Sequence, residues 1–372
     1  MNQNILKMKP SGIRRFTALA KATPGCNMLT IGEPDFDTPA PIREAAAKAM
    51  ESGLTHYAPN KGTDSLRQAI AAYETNRGMA CTMDNILITV GATGALNTAL
   101  TGLLNPGDEC IIPIPAFPLY ESITLAAGAV PKFLDLKQSD FQIEKTALEA
   151  LISPKTRAIV LNSPNNPTGC VLSWESLHIV AELAEQYDFY ILCDNVYAAL
   201  SPEPLPDLTL VPELRERCIL CQSFSKPWAM TGWRLGWLAA PAELIDKLTL
   251  LQAAQIASVP TFLQKAAETA LKISPEDMAA VYRKRREYVC QRLDRMGLTY
   301  PTPEGAFYVF PDISPFSLDS ETFCTRLICE GGLAAVPGSC FGGEGHIRLS
   351  YCYSDEELQE SLDRLEKFIL KL

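Results

Sequence analysis

Short apolar runs alternate with longer stretches of helical periodicity through the middle of the chain. Ile86–Val90 (ILITV), Glu109–Ile114 (ECIIPI), Ala158–Asn162 (AIVLN), Phe189–Asp194 (FYILCD) and Cys218–Gln222 (CILCQ) predict strands. These runs are nearly continuous rather than alternating. Strands buried on both faces of a mostly parallel sheet have that pattern. Between them the apolar spacing changes to that of a helix. In SWESLHIVAELAEQYD, Ser173 is placed as an N-cap, and Leu177, Val180, Ala181 and Ala184 form one stripe. The order predicts an α/β fold: a mostly parallel sheet between layers of helices.

From about residue 260 the pattern changes. Helical stretches at 262–297 and 354–372 surround shorter strand-like pieces, AFYVFPDI and HIRLSY. This predicts a smaller α+β domain at the C-terminus. The first 40 residues read as irregular and Pro-rich, and are expected to pack back onto that domain. The expected division is a large domain over 42–258 and a small one made of 1–41 and 259–372. A chain of 372 residues is long enough for two cores. No internal repeat is visible.

Charge and composition narrow the function classes. The net charge is -10 and no basic run offsets it, which argues against a nucleic-acid partner. The cluster RKRRE at 283–287 reads as a solvated helix face. The longest uncharged window, Asn85–Gly107, contains four threonines and four glycines, and reads as strand, turn and helix rather than a membrane span. The first residues show no secretory signal. The 12 cysteines are scattered, as expected of reduced thiols in the cytoplasm. Cys218 and Cys221 form a CxxC pair, but within a buried-strand pattern and with no second pair, so no metal is expected there. His56, His178 and His346 show no ligand spacing.

In open α/β sheets, ligands bind beyond the carboxyl ends of the strands. The residues following each predicted strand are therefore the candidates. Gly91-Ala92-Thr93 follows ILITV and opens a helix, where free N–H groups and the helix dipole favour an anion. The GxGxxG and GxxxxGK[ST] patterns are absent. Phe117 follows ECIIPI, Asn166 lies in SPNNPTG, Asp194 ends FYILCD with Tyr197 behind it, and Ser223, Ser225 and Lys226 follow CILCQ. Ser223, Ser225 and the Arg234 fork suit a phosphate, which leaves Lys226 available as a Schiff-base nucleophile. Pyridoxal phosphate combines a phosphate with an aldehyde. It also needs a carboxylate against its ring nitrogen, and Asp194 is the candidate.

The motifs THYAPNKGTDSLRQAI, GATGAL, SPNNPTG, DNVY, SFSK and GWRLGW, in that order, resemble those of the class I/II aminotransferases among the fold-type I pyridoxal-phosphate enzymes. The resemblance runs from IGEPDFDTP near residue 31 to HIRLSY at 346–351. It implies an enzyme that moves an amino group between an L-amino acid and a 2-oxo acid. Lys226 would carry the cofactor as a Schiff base and then shuttle the substrate's α-proton. Asp194 would face the pyridine nitrogen, Asn166 and Tyr197 the phenolic oxygen, and Phe117 would stack on the ring. Ala92, Thr93, Ser223, Ser225 and Arg234 would hold the phosphate. Tyr57 would reach the phosphate of a neighbouring subunit, which implies a homodimer with shared sites. Arg348, with Asn166 and the backbone of Gly32, would bind the substrate α-carboxylate. No membrane partner is implied.

The sequence departs from the family pattern at two places. Thr93 stands where aspartate-specific members often carry a lysine for the second carboxylate. This speaks against aspartate and leaves aromatic, branched, alanine-like or sulfur-containing amino acids open. Phe117 replaces the more usual tyrosine or tryptophan. A carbon–sulfur β-lyase on the same fold is the nearest rival. A regulator that keeps the fold for sensing is disfavoured, because only about 30 residues precede the family region.

Overall fold

The computed structural model describes residues 1–8, 10–201 and 204–372. Seven strands form the central sheet: β1 (Ile86–Thr89), β2 (Glu109–Ile114), β3 (Val130–Asp135), β4 (Thr156–Asn162), β5 (Tyr190–Asp194), β6 (Cys218–Ser223) and β7 (Gly236–Ala239). Their order is β1-β7-β6-β5-β4-β2-β3, with β7 antiparallel to both neighbours and the other pairs parallel. All five predicted strands are present. β3 and β7 were not predicted. In β3 the charges of Lys132 and Asp135 obscure the apolar signal, as an edge strand with exposed positions allows.

Helix α1 (Gly12–Ala22) precedes the sheet, α2 (Gly91–Leu103) follows β1, α3 (Leu119–Ala126) follows β2, and α4 (Trp174–Tyr187) joins β4 to β5. Alternate residues of one strand serve two cores. Ala158 and Val160 pack with Ala95, Leu96 and Ile112, while Ile159 and Leu161 pack with Leu177, Val180 and Ile191. Burial on both faces is what removes alternation from the sequence. Ser173 caps α4 by accepting from Ser176 N, as its position predicts. Ala181 is only partly buried, at the edge of the stripe.

Four expectations are corrected. The first 40 residues are not simply irregular: they contain α1, capped by Ser11, which buries Phe16 and Ala20. They do pack onto the C-terminal part, where Asn27–Met28 pairs with Leu333–Ala334 and Leu29 shares a core with Leu327 and Leu362. The stretch 262–297 is two helices, α5 (Thr261–Ala270) and α6 (Glu276–Arg295), separated at Pro275, which has no N–H to continue a helix. By packing, α5 belongs with the sheet, since Ala266 and Ala270 share a cluster with Ile42 and Ile70, so the expected boundary at 259 shifts C-terminally. The RKRRE face is not wholly solvated. Arg285 is buried and bridges Asp35 at 2.8 Å and Asp355 at 2.9 Å, because these loop and helix-end carboxylates converge on that turn of α6.

A three-stranded sheet, β9-β10-β8, completes the C-terminal part: β8 (Tyr308–Val309), β9 (Val336–Pro337) and β10 (Ile347–Ser350). Among the described residues, the cysteines form no disulfide and no cluster of residues could hold a metal. Among the described residues no helix is long and apolar enough to cross a membrane, and the uncharged window folds as β1 and α2.

Candidate active site

A cavity of about 530 Å³ opens beyond the carboxyl ends of β4, β5 and β6, between the sheet and the C-terminal part. The strand register creates it. Asn162 and Asp194 are partners at the ends of β4 and β5, and Asp194 is level with Cys221 on β6. Asn162 Nδ2 donates to the Asp194 carbonyl at 2.8 Å, and Asn162 Oδ1 accepts from Asn166 N at 2.8 Å. The Asp194 side chain is buried, with Oδ2 accepting from the Tyr120 hydroxyl at 2.6 Å. Among the described residues its Oδ1 has no side-chain or backbone partner within hydrogen-bond geometry. Burial raises its carboxyl to about 6, although the Tyr120 bond, the Val196 N–H and the cationic Lys226 act against the rise.

Lys226 lies in the turn after β6. Phe224 and Trp228 anchor that turn in the core beside Trp237, and Trp228 Nε1 donates to the Ile273 carbonyl at 2.9 Å. Ser225 and Lys226 face the cavity. Lys226 Nζ donates to the Gly32 carbonyl at 2.6 Å and lies 5.7 Å from the centre of the Phe307 ring. Desolvation lowers its pKa to about 8. A half-buried amine gives up its proton early because the charged form has lost part of its water. Carbamylation of the ligand-free protein by cyanate, followed at Lys226 by peptide mapping, should therefore be half-maximal near pH 8. A midpoint near the ordinary 10.5 would show that the amine is not desolvated.

The anion corner depends on the unpredicted strand. Gly236 opens β7 and pairs with Thr89 of β1 on one side and Ser223 of β6 on the other. This brings the start of α2 beside Ser223. A Cβ at Gly236 would lie 2.5 Å from the Gln222 carbonyl oxygen and 3.0 Å from Ala92 N, so only glycine permits the approach. Gly91 has φ +67°, and a Cβ there would meet Arg234 Nη2 at 2.8 Å. Arg234 is itself left-handed (φ 54°) and donates through Nη1 to the Thr231 carbonyl at 2.8 Å. Ser223 Oγ donates to Ser225 Oγ at 2.8 Å. The first N–H groups of α2, two hydroxyls and a guanidinium thus border one corner.

Across the cavity, β10 delivers Arg348, which is 2% exposed. Its Nη1 donates to Asn166 Oδ1 at 2.9 Å and its Nη2 to the Thr30 carbonyl at 2.6 Å. The guanidinium lies 4.6 Å from the Tyr308 ring centre and 5.0 Å from that of Phe341. Its Nε has no partner, and among the described residues no carboxylate forms an ion pair with it. A buried cation without a counter-ion is costly, and a bound anion relieves that cost.

Every predicted site residue except Tyr57 lines this cavity; Tyr57 is 92% exposed. Sequence reasoning missed Tyr120, Asn162, Thr30 and Tyr308, and the wall made by Ile13 and Thr17 of α1. Asn162 was legible, as the last residue of a predicted strand. Tyr308 was hidden in a run read only as a strand, and α1 in a segment read as irregular.

Known proteins resemble the whole chain. A sequence profile described as aminotransferase class I and II matches residues 25–365. The aspartate aminotransferase of Pyrococcus horikoshii is 40% identical, with 98% of this chain and 96% of that protein covered. The aromatic-amino-acid aminotransferase 2 of Thermococcus litoralis is 39% identical over 99% of this chain and 98% of its own. The crystal structure of an aspartate aminotransferase from Thermotoga maritima superposes with a TM-score of 0.96 at 34% identity, covering 100% of both chains.

Proposed function

The chain belongs to the class I and II aminotransferase family and moves an amino group between an L-amino acid and a 2-oxo acid; on that premise we propose that Lys226, Asp194 and Tyr197 are its catalytic residues and pyridoxal phosphate its cofactor. The family is pyridoxal-phosphate-dependent in general. The relatives named above are aminotransferases, and the carbon–sulfur lyase expected as a rival has no support among them.

One observation carries the proposal. A single cavity is lined by a desolvated amine, a buried carboxylate with a free oxygen, and a buried guanidinium without a counter-ion. The cofactor fits these residues. Asp194 Oδ1 lacks the partner that a protonated ring nitrogen offers, and that cation would hold the carboxylate ionised. The start of α2, with Ser223, Ser225 and Arg234, presents donors suited to a phosphate. Phe117 offers a ring face, and Asn166 and Tyr197 offer donors for a phenolic oxygen. When bound, pyridoxal phosphate supplies an aldehyde that condenses with amines and a ring that accepts the electron pair left on the α-carbon.

The chain does the rest. Lys226 would hold the cofactor and, as a free amine, would lie beside the substrate's α-carbon. An amine in that place can take the α-proton and return it, and desolvation already lowers its pKa in the ligand-free chain. Arg348, steadied by Asn166 and Thr30, holds the α-carboxylate, with Gly32 beside it. Phe341 and Tyr308 exclude water around the ion pair. The exposed Tyr57 serves a second copy of the chain in a homodimer. The unpaired cysteines fit a reducing cytoplasm.

The test is to add L-amino acids one at a time to purified protein and follow the visible absorption band. Conversion to a near-ultraviolet form with release of the matching 2-oxo acid supports the reading; absence of a visible band overturns it. Arg348→Ala should raise KM for the amino acid by about a hundredfold or more, the loss expected from removing a buried hydrogen-bonded charge partner. Cofactor content should not change, and loss of cofactor would move Arg348 to the phosphate.

A further inference from the structure

We infer that Tyr308 is a positioning residue for this reaction: its ring supports the Arg348 guanidinium, and its hydroxyl donates to the Tyr197 oxygen, turning the Tyr197 hydrogen toward the cavity. The inference rests on the roles proposed above for Arg348 and Tyr197.

Tyr308 is 2% exposed and lines the cavity from β8. The Arg348 guanidinium carbon lies 4.6 Å from its ring centre, within cation–π range. Its hydroxyl is 3.0 Å from that of Tyr197, and the two rings meet edge to face at 5.7 Å. Among the described residues this is the only hydrogen bond of either hydroxyl.

Two hydroxyls that share one hydrogen bond have two hydrogens, and only one is used between them. The other side of the Tyr308 hydroxyl is closed by Gly32. A Cβ at Gly32 would fall 1.7 Å from the Tyr308 oxygen, so the glycine leaves room for the hydroxyl but offers its α-carbon no acceptor. A Tyr308 that accepted from Tyr197 would find no acceptor of the chain for its own hydrogen among the described residues. The opposite orientation leaves the spare hydrogen on Tyr197. The Arg348 cation reinforces this choice, because a positive charge at the ring face makes the phenol the stronger donor. Burial raises the Tyr308 phenol to about 12, and Arg348 is the chief influence opposing that rise.

One side chain therefore serves two ends of the site, and its two functions can be separated. Tyr308→Phe keeps the ring and removes the hydroxyl. Tyr308→Leu removes both. Tyr197→Phe and the double variant Tyr197→Phe/Tyr308→Phe complete the cycle. Two readouts on the cofactor-loaded protein serve: the pH midpoint of its visible band, and the Kd for 3-phenylpropionate, a carboxylate with no amine to react, by calorimetry. A weaker Tyr197 donor lets the acceptor oxygen in the cavity hold a neighbouring proton to higher pH. Tyr308→Phe should thus raise the midpoint by roughly half a pH unit and leave Kd within about twofold, while Tyr308→Leu should also weaken the carboxylate about fivefold. In the Tyr197→Phe background, Tyr308→Phe should add no shift.

A midpoint unmoved by Tyr308→Phe while Tyr197→Phe moves it overturns the hydroxyl link alone. A full additional shift in the double variant overturns it too. An unchanged Kd in Tyr308→Leu overturns the ring support. A midpoint unmoved by Tyr197→Phe removes the underlying role of Tyr197, and the inference with it.

Discussion

Replacing Lys226 by alanine should lower turnover about ten-thousand-fold or more and abolish the visible band of the purified protein. General acid–base help alone is worth roughly 10²–10⁴-fold, and the same residue is also the covalent anchor. The fold should survive. Lysine at this position is a liability below pH 8, since burial lowers its pKa from 10.5 to about 8. The sign follows from proton binding. Between those two values the unfolded chain binds more protons than the folded one, so the lysine's unfavourable contribution fades as pH rises through that window. The ligand-free Lys226→Ala protein should therefore melt no lower than the parent at pH 7. The experiment pairs kcat and absorbance with a thermal melt. A retained band refutes the assignment of Lys226, and a collapsed melt would trace the lost activity to folding.

Asp194→Asn should lower kcat by roughly a hundred- to a thousandfold, the scale of losing one preorganised electrostatic partner. Asparagine can still accept from Tyr120, so the change removes charge and little else. In the ligand-free protein the same substitution should be stabilising above pH 6. Burial raises the Asp194 carboxyl from 3.8 to about 6. Between those values the folded state binds more protons than the unfolded one, so stability falls as pH rises through the window, by an order-of-magnitude ~3 kcal/mol once complete. Melts of parent and variant without cofactor should coincide near pH 4 and separate by a few degrees at pH 7.5, the variant being higher. With cofactor bound, the order should narrow or reverse, because the ring cation then partners Asp194 Oδ1. A ligand-free variant that melts lower at pH 7.5 would mean that the carboxylate already has a favourable partner and is not held ready for one.

The two predictions share a physical origin. The amine and the carboxylate are both placed where water cannot reach them well, and both are costly until a ligand arrives. Arg348 follows the same logic, lying between two aromatic faces with no carboxylate of the chain beside it among the described residues. A site of this kind is the usual exchange of stability for activity.

The sequence by itself determined five of the seven strands and the type of fold, because burial on both faces writes a continuous apolar run into the chain. It also determined which residues end those strands, and hence Asp194, Asn166, Ser223 and Lys226 as candidates, since a parallel sheet gathers its carboxyl ends on one side. Tertiary structure decided what periodicity does not encode. β3 carries charges permitted only because it is an edge. β7 is a four-residue strand whose antiparallel course sets Gly236 between Thr89 and Ser223 and so brings the α2 turn to the serines. The contacts of Asp194 with Tyr120, of Lys226 with Gly32, and of Arg348 with Thr30 and Tyr308 join residues 40 to 318 positions apart. Local pattern fixes which face of an element is apolar. Only the packing of one element against another decides which polar group meets which.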